Sequence, residues 1–454
     1  VDQYGHCPPG NYTVSSGEQT ACYVNKQPLF TIYPETDKKN LYLRAEKHLS
    51  GQWTGFSELV LARNSQTSVP SGYNEYDNVF PDGQIAFMTA VPLDVRHQRY
   101  QNRMHHAVVG VRGQWAGWSV LSSLSEGRHQ VIREDLTGRL SKTANLGDLV
   151  LTPEETRQNP AQYSAETLAK FDLYRLGRVL RDQGVTTMRG WESLASREIG
   201  ETDHGPVTLG LGLSTRSESV DYNSPDSPIY RPSFSGKRQN SAVFGELQTP
   251  LTENLEATLS ARRDQYSDFG GVNTHKVGWK WKTSDTLFFR GSWGTGFRAP
   301  TIGQMSPQTT WLESTFRNGE WIPVHYRGNP DLKPETSEQV NLGFRLEPSR
   351  QWSMGLDFWR LKITNTFGFF NGQQLQANPV LFKNALTENN TLVSPNVNLG
   401  RSRSSGIDYD LQWRRPSDWG IIRLSLKGTY FLQAERQFSD SSPYLSELGT
   451  YSAP

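Results

Sequence analysis

The sequence predicts an all-β fold, an antiparallel sheet of hairpins with the layout of a transmembrane barrel. Three observations predict it. Segments of about ten residues alternate apolar and polar side chains. Seven short polar turns join these segments in pairs. Much longer polar stretches separate one pair from the next.

The short turns are LSGQ (49–52), RGQWAG (112–117), GETDHG (200–205), TPLTEN (249–254), KTSD (282–285), EPSR (347–350) and RPSD (415–418). The long stretches are 64–98, 131–184, 221–237, 266–272, 298–335 and 366–402, and residues 1–38 read as another. Most are long for connections within a compact soluble domain. Short turns at one end and long loops at the other match an outer-membrane barrel, with the turns periplasmic and the loops outside.

Taken in order, the strands carry one apolar and one polar face. Val207, Leu209, Leu211 and Leu213 alternate with Thr208, Gly210, Gly212 and Ser214. Leu255, Ala257, Leu259 and Ala261 alternate with Glu256, Thr258, Ser260 and Arg262. Ile407, Tyr409, Leu411 and Trp413 alternate with Asp408, Asp410 and Gln412, and Ile422, Leu424 and Leu426 with Arg423, Ser425 and Lys427. A sandwich wetted on one side gives the same alternation. Length favours the barrel, because 419–438 reads as one element, beyond the usual ~5–6 residues of globular strands and the ~9–11 that cross a bilayer.

Three segments depart from this pattern. In 352–363 the apolar parity switches, which predicts a bulge near Phe358 and Trp359. The 185–199 segment alternates weakly. Residues 164–182 predict a helix in a long loop, with Ser164 as N-cap and Leu168, Phe171, Leu176, Val179 and Leu180 along one face. About fourteen strands in seven hairpins result, with 83–93 as a fifteenth strand or the rim of a loop.

Composition excludes several function classes. A formal net charge of +1 with no Lys/Arg tract argues against nucleic acid as a partner. No apolar run approaches the ~20 residues of a transmembrane helix, and the mean hydropathy is −0.63. A β-barrel is also hydrophilic on average, because alternate residues face a polar lumen. Cys7 and Cys22 suit a disulfide closing a short loop, hence an oxidising compartment; two unpaired thiols are the alternative. The chain opens on Val1 without a signal-peptide pattern and ends at Pro454 in mid-pattern, so it reads as a fragment cut at both ends.

Enzymatic motifs are missing: no GxSxG, HExxH, Walker A or CxxC occurs. No metal set and no cofactor is expected. His105-His106 reads as polar residues of the lumen or rim, and Asp408 and Asp410 as lumen-facing carboxylates.

The most informative stretch runs from Trp293 to Gly343. It contains WGTGFRAPTIGQM, a loop rich in Trp and Tyr, and GNPDLKPETSEQVNLGF. Asn329-Pro330 and Lys333-Pro334 oppose helix. Phe297 and Pro300 end a strand in extended conformation, and Arg298 offers a rigid donor fork to loop carbonyls or carboxylates. Asn329, Pro330, Leu332, Pro334 and Glu335 form the turn into the next strand, with Glu335 as a local polar tie. This group is expected to hold a loop and its strands in register. Ligand contact is expected from loop aromatics and their neighbours: Tyr73, Tyr76 and Phe80; Trp311, Phe316, Trp321, His325 and Tyr326; and Phe367, Phe369 and Phe370.

"FRAP…NPxLxPE" resembles the C-terminal barrel signature of TonB-dependent outer-membrane receptors. Residues 257–281, 285–300, 354–365 and 398–413 resemble further blocks of that family in family order. The resemblance implies a 22-stranded barrel, of which about 14–15 strands are present, occluded by an N-terminal plug. It implies energised import across the outer membrane of a Gram-negative bacterium, through TonB, ExbB and ExbD. A ferric siderophore is the family's usual ligand; haem, cobalamin, other metals and glycans also occur. Lipopolysaccharide and other outer-membrane lipid would surround the wall. No plug or TonB box precedes Val1, and roughly three last strands with the terminal aromatic are not seen. Two other readings stand beside this one. One is a passive porin-like channel or surface binding barrel without TonB coupling. The other is a soluble β-sandwich or propeller, in which Leu209, Leu211, Leu424 and Leu426 would pack against a second sheet.

Overall fold

The computed structural model describes residues 11–16, 19–24, 31–69, 74–79, 85–90, 96–137, 139–140, 164–225, 233–307, 310–317, 320–439 and 442–449. One sheet of fifteen strands dominates it. These are β1 (Glu35–His48), β2 (Thr54–Ser68), β3 (Gln98–Trp115), β4 (Trp118–Asp135), β5 (Val179–Thr202), β6 (Gly205–Asn223), β7 (Phe234–Thr252) and β8 (Leu255–Tyr266). The sheet continues through β9 (Gly270–Lys282), β10 (Leu287–Arg298), β11 (Glu335–Ser349), β12 (Trp352–Thr364), β13 (Arg401–Ser417), β14 (Gly420–Gln437) and β15 (Leu445–Ser446). Each strand pairs antiparallel with its sequence neighbours, so the sheet is an uninterrupted meander. All seven predicted turns join strand pairs within it.

Register shows how the two faces sort. Leu41, Leu61 and His105 lie in one rung, and Leu43, Leu59 and Ala107 in the next. Leu213 pairs with Val243, Leu247 with Leu259, and Leu259 with Val277. Leu411 pairs with Leu426 and Trp413 with Leu424. These apolar rungs include exposed side chains: Leu213 is 50% accessible and Leu424 61%. Among the described residues no second layer covers them, which removes the sandwich reading. The opposite face is concave. A hollow of about 920 Å³ reaches from Thr54 on β2 to Thr295 on β10, and Arg112, Glu246, Arg262 and Lys276 line it. A sheet that curls around its charged face and turns its leucines outward is a barrel wall. The fold is thus a partial antiparallel transmembrane barrel with short turns at one end and long loops at the other. The two outer edges, β1 and β15, are not paired to each other among the described residues. No described helix is long and apolar enough to cross a membrane.

Ion pairs knit the concave face across strands. Arg112 reaches Glu46 at 2.8 Å over the intervening β2, and Arg290 reaches Asp357 at 2.7 Å over β11. Lys427 pairs with Asp410 at 3.1 Å. In the short turn between β9 and β10, the hydrogen bond from Lys282 holds the Asp285 carboxyl below its ordinary range.

Three expectations need correction. No bulge interrupts β12 at Phe358 and Trp359, where its pairing to β11 and β13 is regular. The parity switch arises because Trp359 faces inward. Its ring lies over Gly406, its Nε1–H donates to Asp408 Oδ1 at 3.2 Å, and it meets Phe431 edge-on at 5.7 Å. The predicted 164–182 helix is shorter: α1 covers Ala165–Tyr174, with the Ser164 hydroxyl accepting from the Thr167 N–H at 3.1 Å. Val179 and Leu180 belong instead to β5, where pairing with Asp135 and Glu134 recruits them. Finally, Ile85–Ala90 is a strand but pairs with Asn74–Val79 in a separate hairpin; the fifteenth strand of the sheet is the short β15. Of the expected Cys7–Cys22 disulfide, Cys7 and the side chain of Cys22 lie outside what the structure describes.

Candidate functional site

The long connection after β10 builds a folded cap. It begins with the one-turn α2 (Ile302–Met305), capped reciprocally by Thr301 and Gln304. A hairpin of Thr310–Arg317 and Glu320–Arg327 follows. The connection between β12 and β13 adds α3 (Gly372–Ala377), α4 (Pro379–Ala385) and the strand Leu392–Pro395. That strand pairs parallel with the hairpin, Val324 against Leu392. Alternation in IPVHY turns Ile322, Val324 and Tyr326 to one side, where Leu375 and Leu392 complete a buried core. Phe370, Leu381, Phe382 and Ala385 pack against it. Two loops that are distant in sequence therefore form one small domain at the long-loop end.

Below this cap, the FRAP and NPDLKPE segments meet. Arg298 donates from Nε and a terminal nitrogen to the two oxygens of Glu335, both at 2.6 Å. Glu335 Oε1 also accepts the Phe367 backbone N–H at 2.7 Å, and the Arg298 guanidinium lies 4.9 Å from the Phe367 ring centre. One carboxylate thus joins the end of β10, the start of β11 and the loop after β12. The fork geometry suits arginine, and its charge strengthens both bonds.

Neighbouring ties extend this junction. Asn329 donates to the Asn396 carbonyl at 2.8 Å and accepts from the Asp331 N–H at 2.9 Å. Asn398 bonds both backbone groups of Lys333, at 2.9 and 2.7 Å, and donates to the Asn365 carbonyl at 3.0 Å. The residues after Asn329 place Leu332 in a buried position, 2% exposed, with Pro330 exposed and Pro334 half-buried. Pro300 is buried, and its carbonyl accepts from Arg238 at 2.7 Å. Phe297 meets Tyr266 edge-on at 6.0 Å. Gly328 is required here, because a Cβ would fall 2.0 Å from the Ser306 carbonyl oxygen.

The expected ligand-contact residues separate into groups. Tyr326 is in the cap core, 4% exposed, with Phe369 against it at 4.5 Å between ring centres. Phe370 packs on that core, and Phe367 sits under Arg298. Phe369 is partly open, and His325 is half-buried on the strand face opposite the core. Trp311 pairs with Tyr326 and Phe316 with Trp321 by backbone register, with their side chains outside the described set. Tyr76 lies on the Asn74–Val79 strand, its side chain likewise outside that set, as is Tyr73. Sequence reasoning missed Arg238, Asn396 and Asn398. Asn398 opens the NLGRSRSSG block, which was the available signal; Arg238 carries no local one.

No group of three or more His, Cys, Asp or Glu among the described residues is placed to hold a metal. The arrangement offers a clamped cap above a charged concave wall.

Comparison with known proteins adds the family. Residues 53–451 match the model described as TonB dependent receptor-like, beta-barrel. The vitamin B12 transporter BtuB of Vibrio vulnificus is 30% identical over 140 residues, 31% of this chain and 19% of that protein. The iron-regulated outer membrane virulence protein of Vibrio cholerae is 28% identical over 137 residues, 29% of this chain and 19% of that protein. A mutant of the ferric enterobactin receptor PfeA from Pseudomonas aeruginosa superposes with a TM-score of 0.59 at 15% identity, a likeness of fold alone. That superposition covers 88% of this chain and 51% of the receptor, so the chain spans about half of that structure's length. With most of its length matched by the model, the chain belongs to the TonB-dependent receptor-like β-barrel family.

Proposed function

We propose that this chain is the barrel of an outer-membrane active importer of a Gram-negative bacterium, taking up a scarce ligand, with a ferric siderophore as the leading candidate. One observation carries the reading: the loop cap has its own buried core and is clamped to the strand ends through Glu335. Such a cap suits capture of a ligand better than free diffusion through an open mouth. The sequence likeness to an iron-regulated outer-membrane protein supports the choice of ligand; the likeness to a vitamin B12 transporter keeps cobalamin as the competitor.

In this proposal a plug and further strands, outside these 454 residues, complete the barrel. The plug couples transport to TonB, ExbB and ExbD. Ligand contact falls to Tyr73, Tyr76, Trp311, Phe316, Trp321, His325 and Phe369, while Tyr326, Phe367 and Phe370 shape the cap from within.

Uptake of labelled ferric siderophore and labelled cobalamin by the intact receptor, in a host deprived of its own receptors, tests this. Uptake of the siderophore that stops when TonB is deleted or the proton gradient is collapsed is the expected result. Uptake that survives both treatments would support the passive channel and overturn the importer.

A further inference from the structure

A glycine on the concave face leaves a gap that four soft donors surround. One rung of the sheet runs through Val60, His106, Gly127, Met188 and Glu218, from β2 to β6. The next inward rung toward the long loops carries Ala62, Met104, His129, Thr186 and Val220. His106 and Met104 stand an even number of positions along β3 from Arg112, which lines the hollow, so alternation by two puts both rungs on that face.

Gly127 brings no side chain to its place in the wall. His106 flanks it on β3 and Met188 on β5, while His129 follows it on the same face of β4. Met104 lies diagonally across. Directly opposed Cβ atoms in such a ladder are about 4.5–5.5 Å apart and diagonal neighbours about 7–8 Å, within reach of long side chains. The His106 ring leans over the gap, because a Cβ at position 127 would fall 3.3 Å from its Cδ2.

The lining is chemically selective. Among the described residues neither the His106 nor the His129 imidazole is engaged in a hydrogen bond, ion pair or ring contact. Met104 and Met188 are 40% and 36% exposed, so their thioethers meet a polar hollow and bury little apolar surface. Glu218 is the one carboxylate among the described residues of the two rungs, and Arg216 and Arg238 each hold it at 2.6 Å. Arg238 also donates to the Pro300 carbonyl, which places the patch beside the FRAP junction. Mg²⁺ and Ca²⁺, which take oxygen ligands, find no such set here. Thioethers select soft Cu(I), and imidazole suits copper as well.

We propose that Met104, His106, His129 and Met188 form a binding site for Cu(I) on the inner wall of the barrel. The site needs only the strand register and the concave face, and it stands whichever ligand the cap captures. Four neutral donors would hold a monovalent ion across the Gly127 gap.

The intact receptor, purified in mild detergent under reducing, oxygen-free conditions, supplies the test. Cu(I) is partitioned against a chromogenic Cu(I) chelator. Its neighbours are read by X-ray absorption, and barrel folding by heat-modifiable migration. Wild type is expected to bind Cu(I) through both nitrogen and sulfur. The control M354L, altered opposite Leu411 on the outward face, is expected to match it. The volume-conserving M104L/M188L is expected to remain folded and to lose the sulfur neighbours. Its affinity is expected to fall at least about tenfold, the smallest loss seen when residues that merely support a metal ligand are changed. Should that variant not fold, H106Q/H129Q is expected to show the same loss, with nitrogen neighbours gone. A folded variant of either pair that keeps wild-type affinity overturns the site. So does a wild type that binds no Cu(I), or one that holds Zn(II) more tightly than Cu(I).

Discussion

Glu335 accepts hydrogen bonds from two chain segments that meet at one rim of the barrel, the Arg298 fork and the Phe367 N–H. Truncation by E335A leaves the fork and the amide without this partner. The expected cost is about 1–3 kcal/mol locally, read as roughly five- to 150-fold faster hydrogen exchange at the Phe367 amide, with strands near the short turns unchanged. Equal exchange in variant and wild type would show the tie to be idle. Gly328 makes a sharper case. G328A pushes a Cβ into the Ser306 carbonyl, a backbone atom that cannot swing aside, so loss of the cap's protease resistance is expected. Arg298 and Glu335 are each legible in the motif. Their pairing is not, because they stand 37 positions apart along the chain and only the β10–β11 register brings them together.

At the scale of the element, the outer rungs and the cap core behave differently. Leu211 and Leu424 face outward and exposed. L211K or L424K is expected to hinder membrane insertion by about 2–4 kcal/mol near the bilayer midplane and less toward either interface. Folding titrations into vesicles measure this, and insertion equal to wild type would contradict a lipid-facing position. In the cap, Val324 and Leu392 are fully buried against each other's strands. L392A is expected to cost about 2–5 kcal/mol of cap stability, seen as proteolysis within 310–395 while the sheet stays intact. Period-2 alternation made the strands readable wherever both faces had a single character. It misled at Trp359, an indole on the polar face held by Asp408 and accommodated by Gly406. It also stretched α1 into β5, because helical spacing and strand pairing compete for the same apolar residues and only the ladder to β4 favours the strand.

The whole molecule is a curved wall with a capped end. If the cap gates uptake, a disulfide locking it to the wall would block transport while leaving the ligand-free barrel folded; unchanged uptake by the locked receptor would count against gating. The chain's own residues dictated the meander. Short polar turns, long loops and strands long enough to cross a bilayer follow from local chemistry, and the distance between consecutive turns sets each hairpin. Which face lines the hollow and which meets lipid was decided by curvature, a property of many strands together. The union of two remote loops into one core, the sharing of Glu335 and the gathering of His106, His129 and Met188 around Gly127 likewise exist only in register. Neighbours along the chain interact through backbone geometry, which composition encodes; neighbours across the sheet depend on pairing, which no single segment contains.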